Sequence, residues 1–200
     1  LGFFGSVGFL SKYLFLYLLF SIFFLFLYTI IYKKLKKFDF KYLISIEVFL
    51  ILLVPHFIWL IENDYVTILY GLDRTGLETS NLSRHIIYPI IFLAKQLILL
   101  IPFFVLVRIL IKKIKLKINF KDRKFIFLFF VNVVPIILML VTSLITGSRI
   151  RTMWMTPFYL SFGVFFIYIF KSQIDLKKIR YFLYGFIFLF FLSPILYSYI

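Results

Sequence analysis

Six long apolar runs dominate the sequence, and each is long enough to cross a lipid bilayer as a helix. The hydrocarbon core is about 30 Å thick and needs roughly 17 to 25 apolar residues. We place the runs at residues 13–32, 42–61, 88–111, 125–145, 154–170 and 181–199. Because backbone groups in lipid must find their hydrogen-bond partners within the protein, the runs predict an all-α fold. We expect residues 1–200 to form a single transmembrane helical bundle of about six spans.

Composition supports the membrane assignment and excludes several function classes. The chain is 64% hydrophobic, with 30 Phe and 14 Tyr, more apolar surface than a soluble core could cover. It has no Cys and only two His, so disulfides, Cys nucleophiles and thiolate or His-rich metal sites are not expected. We predict no metal and no cofactor. The net charge of +15 has no soluble domain to present it to nucleic acid, so membrane topology explains it better.

The basic residues concentrate in alternate connectors. Most of the 23 Lys and Arg residues lie in 33–41, 112–124 and 171–180. Cytoplasmic loops of membrane proteins carry such an excess, so we predict that these three connectors face the cytoplasm and that the protein lies in the cell (inner) membrane. Connectors 62–87 and 146–153 would then face outside.

The short turn 146–151 sets Arg149 and Arg151 between two apolar spans. Charge next to lipid is costly, and it often faces a cavity or a headgroup and carries function. Two interpretations stay open: an anion-binding turn, or arginines that only anchor the span to lipid phosphates.

Lys12 ends a segment with glycines at positions 2, 5 and 8, a spacing that allows close approach of a neighbouring helix. It lies at the outer end of the first span, on the same predicted side as Arg149 and Arg151. These three cations could converge on one anionic group. The alternative is a lysine that extends to the interface and marks the helix end.

The outer connector 62–87 is the longest polar stretch and carries half of the acidic residues. A carboxylate here could act as a general base or orient a sugar hydroxyl, although solvated acids are the plainer interpretation. We name as a possible substrate loop the residues Asn63, Asp64, Arg84 and His85. Beyond it, the spacing of His85, Tyr88, Phe92, Lys95 and Gln96 predicts an interfacial helix over about 83–95, with the crossing beginning near Gln96. If the span instead begins at Tyr88, Lys95 lies inside the hydrocarbon.

Three segments follow the pattern of one enzyme family. Residues 8–13 (Gly-Phe-Leu-Ser-Lys-Tyr) are similar to its Gly-Leu-x-x-Lys-Tyr segment. Residues 55–59 (Pro-His-Phe-Ile-Trp), followed by Asn63-Asp64-Tyr65, are similar to its Pro-x-x-x-Trp segment before an outer loop. Residues 147–151 (Gly-Ser-Arg-Ile-Arg), leading to Trp154 and Pro157, are similar to its arginine-containing turn. The chain thus resembles the polytopic family 39 glycosyltransferases of the GT-C superfamily, which include protein O-mannosyltransferases and lipid A sugar transferases.

The resemblance implies a GT-C-like fold and an inverting sugar transfer on the outer side of the membrane. The donor would be a polyprenyl-phosphate-linked sugar, and the acceptor a lipid, protein or glycan of the envelope. By the same likeness, Lys12 and Arg149 or Arg151 would bind the donor phosphate. The family's general base lies in an acidic outer loop that would precede Leu1, so we expect the sequence to be part of a longer protein and inactive by itself.

A transporter or flippase segment for an anionic lipid or solute is the competing hypothesis. Such proteins place polar groups near the bilayer midplane and often show repeated halves. Glu47 and Lys95 are the candidate midplane charges, and we find no internal repeat. The concentration of polar residues in the outer connectors favours the transferase. Each of spans two to six contains a proline that is expected to kink its helix: Pro55, Pro102, Pro135, Pro157 and Pro194.

Overall fold

The computed structural model describes residues 1–33, 40–76, 81–116 and 118–198, and the regular elements in these residues are helices. Three short 3-10 helices cover Tyr13–Phe15, Thr152–Tyr159 and Leu176–Lys178. The α-helices are α1 Gly2–Ser11, α2 Leu16–Lys33, α3 Lys41–Glu62, α4 Val66–Asp73, α5 Arg84–Leu110, α6 Arg123–Asn132, α7 Val134–Thr146, α8 Phe162–Phe170 and α9 Ile179–Ser198.

Among the described residues, five helical stretches are long and apolar enough to cross a membrane, and there are six if one bent pair of helices forms a single span. The prediction of an all-α bundle of about six spans is confirmed to this extent. The stretches match the predicted runs to within a few residues: Tyr13–Tyr32, Lys41–Glu62, Arg84–Leu110, Arg123–Thr146, Leu176–Ile195, and the pair Thr152–Tyr159 with Phe162–Phe170.

Helix α1 was not predicted, and it packs side by side with α3. A Cβ atom on Gly2 would clash with the carbonyl oxygen of Ser45, and one on Gly5 would lie 3.3 Å from the Phe49 ring. The expected close approach at these glycines is therefore confirmed. Since Gly2 meets Ser45 and Tyr13 meets His56, α1 runs parallel to α3.

Helix α2 runs back along α7 and α6 in the opposite direction. The Tyr17 hydroxyl donates to Thr142 Oγ1 at 3.1 Å, near the start of α2 and the end of α7. Further along α2, the Ser21 hydroxyl donates to the carbonyl of Phe130 in α6. The chain therefore reverses at Lys12, between α1 and α2.

The fourth and fifth spans depart from a straight single helix at places that meet inside the bundle. The fourth span passes from α6 to α7 at Val133, with Pro135 in the first turn of α7, and the fifth bends by 55° between its 3-10 segment and α8. Ser161 Oγ donates to Asn132 Oδ1 at 2.9 Å, and Asn132 Nδ2 donates to the Leu128 carbonyl at 2.8 Å. Asn132 is fully buried, and both polar atoms of its side chain therefore have partners within the protein.

Not every proline expected to kink its helix interrupts it. Pro135 lies at the start of α7 and Pro157 in the 3-10 segment before α8, whereas helices α3, α5 and α9 continue through Pro55, Pro102 and Pro194.

Helix α5 is a single helix from Arg84 to Leu110, so the predicted division near Gln96 is wrong. Its 27 residues make it about 40 Å long, enough for the hydrocarbon and part of an interface. Pro89, Phe92 and Gln96 are buried on one face, while Lys95 is exposed on the bundle surface. Lys95 and Gln96 therefore lie on different faces of one continuous helix, and they do not mark a helix boundary.

The connectors collect at two opposite ends of the bundle, as their charges predict. At one end, Lys112 N–H donates to Gln173 O at 3.0 Å, Asp175 N–H donates to Leu110 O at 2.9 Å, and Lys112 Nζ lies 3.5 Å from Asp175 Oδ2. At the other end, Arg149 N–H donates to Thr75 O at 2.9 Å. Which end faces the cytoplasm stays a prediction. Most of connector 33–41, together with Glu78 and Lys117, lies outside the described residues.

The absence of native Cys allows a direct test of sidedness. Leu82 and Leu116 lie in connectors at opposite ends and are 88% and 64% exposed. We expect an impermeant maleimide to label Leu82→Cys, but not Leu116→Cys, in right-side-out membrane vesicles. Permeabilised vesicles, in which both variants should react, are the control. The reverse labelling pattern would mean that the charge-based orientation is wrong.

Asp122 links the connector 112–124 to the fifth span. Its carboxylate accepts a hydrogen bond from the Tyr168 hydroxyl and one from Lys124 N–H, at 3.0 Å, which caps α6. The Tyr168 hydrogen bond is the main reason that the pKa of Asp122 lies below its ordinary value of 3.8. A lowered pKa stabilises the folded state above the unfolded pKa, and this stabilisation is lost as the pH falls through the folded pKa.

We therefore expect Asp122→Asn to unfold at a lower temperature than the parent protein at pH 7. The difference should shrink as the pH falls from 3.8 through the lower pKa of the folded state, because the parent side chain then becomes neutral like that of the variant. Thermal unfolding in detergent across this pH range measures the effect, with Tyr168→Phe as the matched variant. A difference that does not change with pH would contradict the assignment.

Candidate functional site

Lys12 lies at the tip of the hairpin formed by α1 and α2. Its backbone is extended, with φ −162° and ψ 117°, which ends α1 and starts the return. Lys12 N–H donates to Gly8 O at 3.1 Å, and Phe15 N–H donates to Lys12 O at 2.9 Å. These hydrogen bonds hold both sides of the reversal, so the half-buried lysine is presented from an ordered turn.

The hairpin tip forms one wall of an open groove of about 480 Å³. The Tyr13 hydroxyl lies 2.9 Å from His56 Nε2 in α3 and 2.8 Å from Thr67 Oγ1 in α4. The rings of His56 and Trp59 stack at an interplanar angle of 13°. The groove is lined by Leu10, Ser11, Lys12, Tyr13, His56, Trp59 and Thr67. A cation, hydroxyl groups and aromatic rings thus surround a space open to solvent.

The second predicted cationic element is the turn after α7, and it is well ordered. Gly147 has φ 66° and ends the helix, a conformation that glycine adopts without strain. A Cβ atom there would also lie 3.0 Å from His85 Nε2. Ser143 Oγ donates to the Ser148 carbonyl at 2.8 Å. Arg149 and Arg151 follow this turn, and both are exposed.

Three of the four residues of the possible substrate loop form side-chain hydrogen bonds with backbone carbonyl groups. Asn63 Nδ2 donates to the Trp59 carbonyl at 2.8 Å at the end of α3. His85 Nδ1 donates to the Leu144 carbonyl at 2.8 Å, and an Arg84 nitrogen donates to Gly76 O at 3.3 Å. Asp64 is exposed and has a left-handed backbone with φ 49°. Asn63 and Asp64 are exposed, whereas Arg84 and His85 are half-buried, and the assignment of all four to substrate stays a prediction.

Lys12 and the arginine turn lie at the same end of the bundle. A buried cluster of Phe92, Met139, Met155 and Phe158 joins α5, α7 and the segment 152–159. Leu14, two residues after Lys12, packs against this cluster, and so does Ile150, which separates the two arginines. The predicted common side is therefore present in the fold, while convergence of the three cations on one ligand stays a prediction.

Two features of the site were not predicted from the sequence. Helix α4 lies within the predicted polar connector and supplies Thr67; its signal is the apolar run from Val66 to Tyr70. Deeper in the bundle, the Tyr159 hydroxyl donates to Gln96 Oε1 at 2.6 Å, while Gln96 Nε2 is buried and has no partner among the described residues. Gln96 is an amide side chain within an apolar run of the sequence, and this position could have indicated a buried polar contact.

A search for metal ligands and comparisons with known proteins give no further information on this site. In the described parts of the chain, no three His, Asp or Glu side chains lie together as metal ligands. Comparisons of the chain with protein-family models, characterised proteins and solved structures give no match. The residues themselves therefore carry the functional argument.

The hydrogen bonds of Tyr13 predict a measurable role in assembling the groove. Tyr13→Phe removes its links to both α3 and α4, and each such bond contributes about 1 kcal/mol. We expect the free energy of unfolding to fall by about 1 to 2 kcal/mol, and trypsin cleavage after Arg74, just beyond α4, to become faster. Tyr65→Phe, at a tyrosine that is 48% exposed, is the control and should change neither. Equal behaviour of the two variants would show that the Tyr13 hydroxyl does not hold α4.

Proposed function

We propose that the protein is a membrane glycosyltransferase that takes a sugar from a polyprenyl-phosphate carrier and transfers it to an envelope acceptor on the outer side of the membrane. The observation that carries this proposal is the position of Lys12. It lies at the tip of a hairpin, in a groove that also contains the Tyr13, His56 and Trp59 side chains. The arginine turn lies at the same end of the bundle.

This arrangement suits a phosphate leaving group. In the transfer, an acceptor hydroxyl attacks the anomeric carbon, the bond from that carbon to the phosphate oxygen breaks, and polyprenyl phosphate leaves. Negative charge grows on the phosphate as the bond breaks, and fixed cations beside the phosphate stabilise it. Lys12 offers a compact charge, while Arg149 or Arg151 offers a planar fork that can hold two phosphate oxygens.

The remaining side chains of the groove suit the sugar. Binding sites for small molecules combine aromatic surface with a few polar groups that set orientation. Trp59 and His56 provide stacked rings, and the hydroxyls of Tyr13 and Thr67 provide hydrogen-bonding groups beside them. The general base that accepts the acceptor's proton is not assigned to a residue.

A transporter or flippase for an anionic lipid or solute is the second candidate, and one observation favours it. The bent fifth span meets the α6–α7 junction at the buried pair Asn132 and Ser161, and discontinuous helices often form the binding sites of transporters. These groups are neutral, however. The charged candidates Glu47 and Lys95 are exposed on the bundle surface, which suits an internal anion pathway less well.

Alanine substitutions of the three cations test the proposal. In membranes from cells that express the complete gene, we expect Lys12→Ala and the double variant Arg149→Ala/Arg151→Ala to reduce sugar transfer about 100- to 1000-fold. This is the usual effect of removing one fixed group that stabilises a developing anion. Transfer is measured with a radiolabelled polyprenyl-phosphate sugar, and membrane insertion is measured in parallel.

Arg74→Ala is the matched control, since Arg74 is exposed at the same end of the bundle but outside the groove. It should leave transfer unchanged. Normal turnover in the Lys12 and arginine variants would remove the assigned phosphate site. Loss of transfer in all variants, including Arg74→Ala, would indicate a general charge effect and not a specific site.

A further inference from the structure

A second groove lies at the opposite end of the bundle, between α5 and α9. It has a volume of about 620 Å³ and is lined by Ile101, Phe104, Val105, Arg108, Lys178 and Tyr181. Its two basic residues lie where the helices meet the connectors 112–124 and 171–180. This groove is separate from the hairpin tip and does not depend on the proposed function.

The groove has a charged end and an apolar end. On α5, residues 101, 104, 105 and 108 share one face, because residues three and four apart lie together on a helix. Arg108 is two residues from the end of α5, and Ile101 lies about 10 Å further along the axis toward the membrane interior. A ligand that matches this pattern has an anionic head and an extended apolar chain.

The positive charge at the groove mouth is held in place and is not cancelled by the adjoining acid. An Arg108 guanidinium nitrogen donates to the Ile111 carbonyl at 3.1 Å, which keeps the guanidinium at the end of the helix. Asp175, the acid of the adjoining connector, is paired with Lys112 at 3.5 Å, and its side chain is only 14% exposed. Lys178 is half-buried beside the groove.

Close packing of the two helices fixes one wall of the groove. A Cβ atom on Gly185 of α9 would lie 3.2 Å from a Leu106 methyl group and 3.5 Å from one of Ile109 on α5. The helices therefore touch near Gly185, while Tyr181 and Lys178, one and two turns nearer the connector, line the open part. Tyrosine is common at the level of lipid headgroups, since its ring is apolar and its hydroxyl is polar.

We propose that this groove binds one anionic phospholipid from the leaflet that adjoins the basic connectors. Arg108 and Lys178 hold the phosphate, and one acyl chain lies along Ile101, Phe104 and Val105. Charge complementarity selects this occupant, because basic pockets between transmembrane helices bind anionic headgroups. An apolar helix in the same place would bring no partner for the two cations and would carry the cost of burying them.

The test compares retention of dioleoyl phosphatidylglycerol and dioleoyl phosphatidylcholine by the purified full-length protein, using native mass spectrometry. We expect one phosphatidylglycerol to be retained in preference to phosphatidylcholine. Arg108→Gln/Lys178→Gln should weaken its binding about 30-fold, since each basic residue near a lipid surface contributes roughly fivefold. Lys113→Gln/Lys177→Gln removes the same charge from exposed positions of the same two connectors and should change little.

Two further experiments distinguish binding in the groove from non-specific electrostatic attraction of the lipid to the basic connectors. Val105→Trp keeps both cations but fills the path of the acyl chain, so it should also release the lipid. Inorganic phosphate at millimolar concentration should not compete, because it has no chain. The proposal is overturned if the control pair weakens binding as much as the groove pair, if Val105→Trp retains the lipid, or if phosphate displaces it. Circular dichroism and size-exclusion profiles that match the parent protein show that the variants are folded.

Discussion

Hydrogen bonding of the backbone inside lipid is the constraint on which the rest of this structure depends. With no water available, each N–H and C=O group needs a partner in the protein, and a continuous helix provides one for almost every residue. Where the fourth span passes from α6 to α7 and the fifth span bends, buried side chains form further hydrogen bonds. Ser161 bonds to Asn132, Asn132 to the Leu128 carbonyl, and Ser21 to the Phe130 carbonyl. The polar side chains at these places therefore have partners within the protein.

Once the helices form, small residues and connector hydrogen bonds determine how they meet. Gly2 and Gly5 allow α1 to lie directly on α3, and this contact carries the hairpin tip to His56. Pairing of Lys112 with Gln173 and of Arg149 with Thr75 ties the connectors together at each end. The two ends of the bundle therefore differ. At one end, Lys12 lies on a turn beside aromatic rings; at the other, a groove leads from basic residues along apolar side chains.

Much of the fold followed from the sequence, and the failures have physical reasons. Helix α1 was missed because ten apolar residues are too few to predict a crossing, yet packing on α3 is enough to order them. The division of α5 was wrong because the residues from His85 to Gln96 were interpreted as one face of a separate interfacial helix. In the structure Lys95 is exposed while Gln96 is buried, and Gln96 accepts a hydrogen bond from the Tyr159 hydroxyl inside the bundle. The common end of Lys12 and the two arginines was predicted, but the contacts of Tyr13 with His56 and Thr67 were not.

The sequence by itself determined the all-helical class and the approximate limits of the apolar stretches, because hydropathy is a property of continuous segments. Only the tertiary structure decided which side chains share a groove. Tyr13, His56 and Thr67 belong to three separate helical segments. Their meeting depends on close packing between segments distant in the chain, and the hydropathy of each segment carries no information about its neighbours.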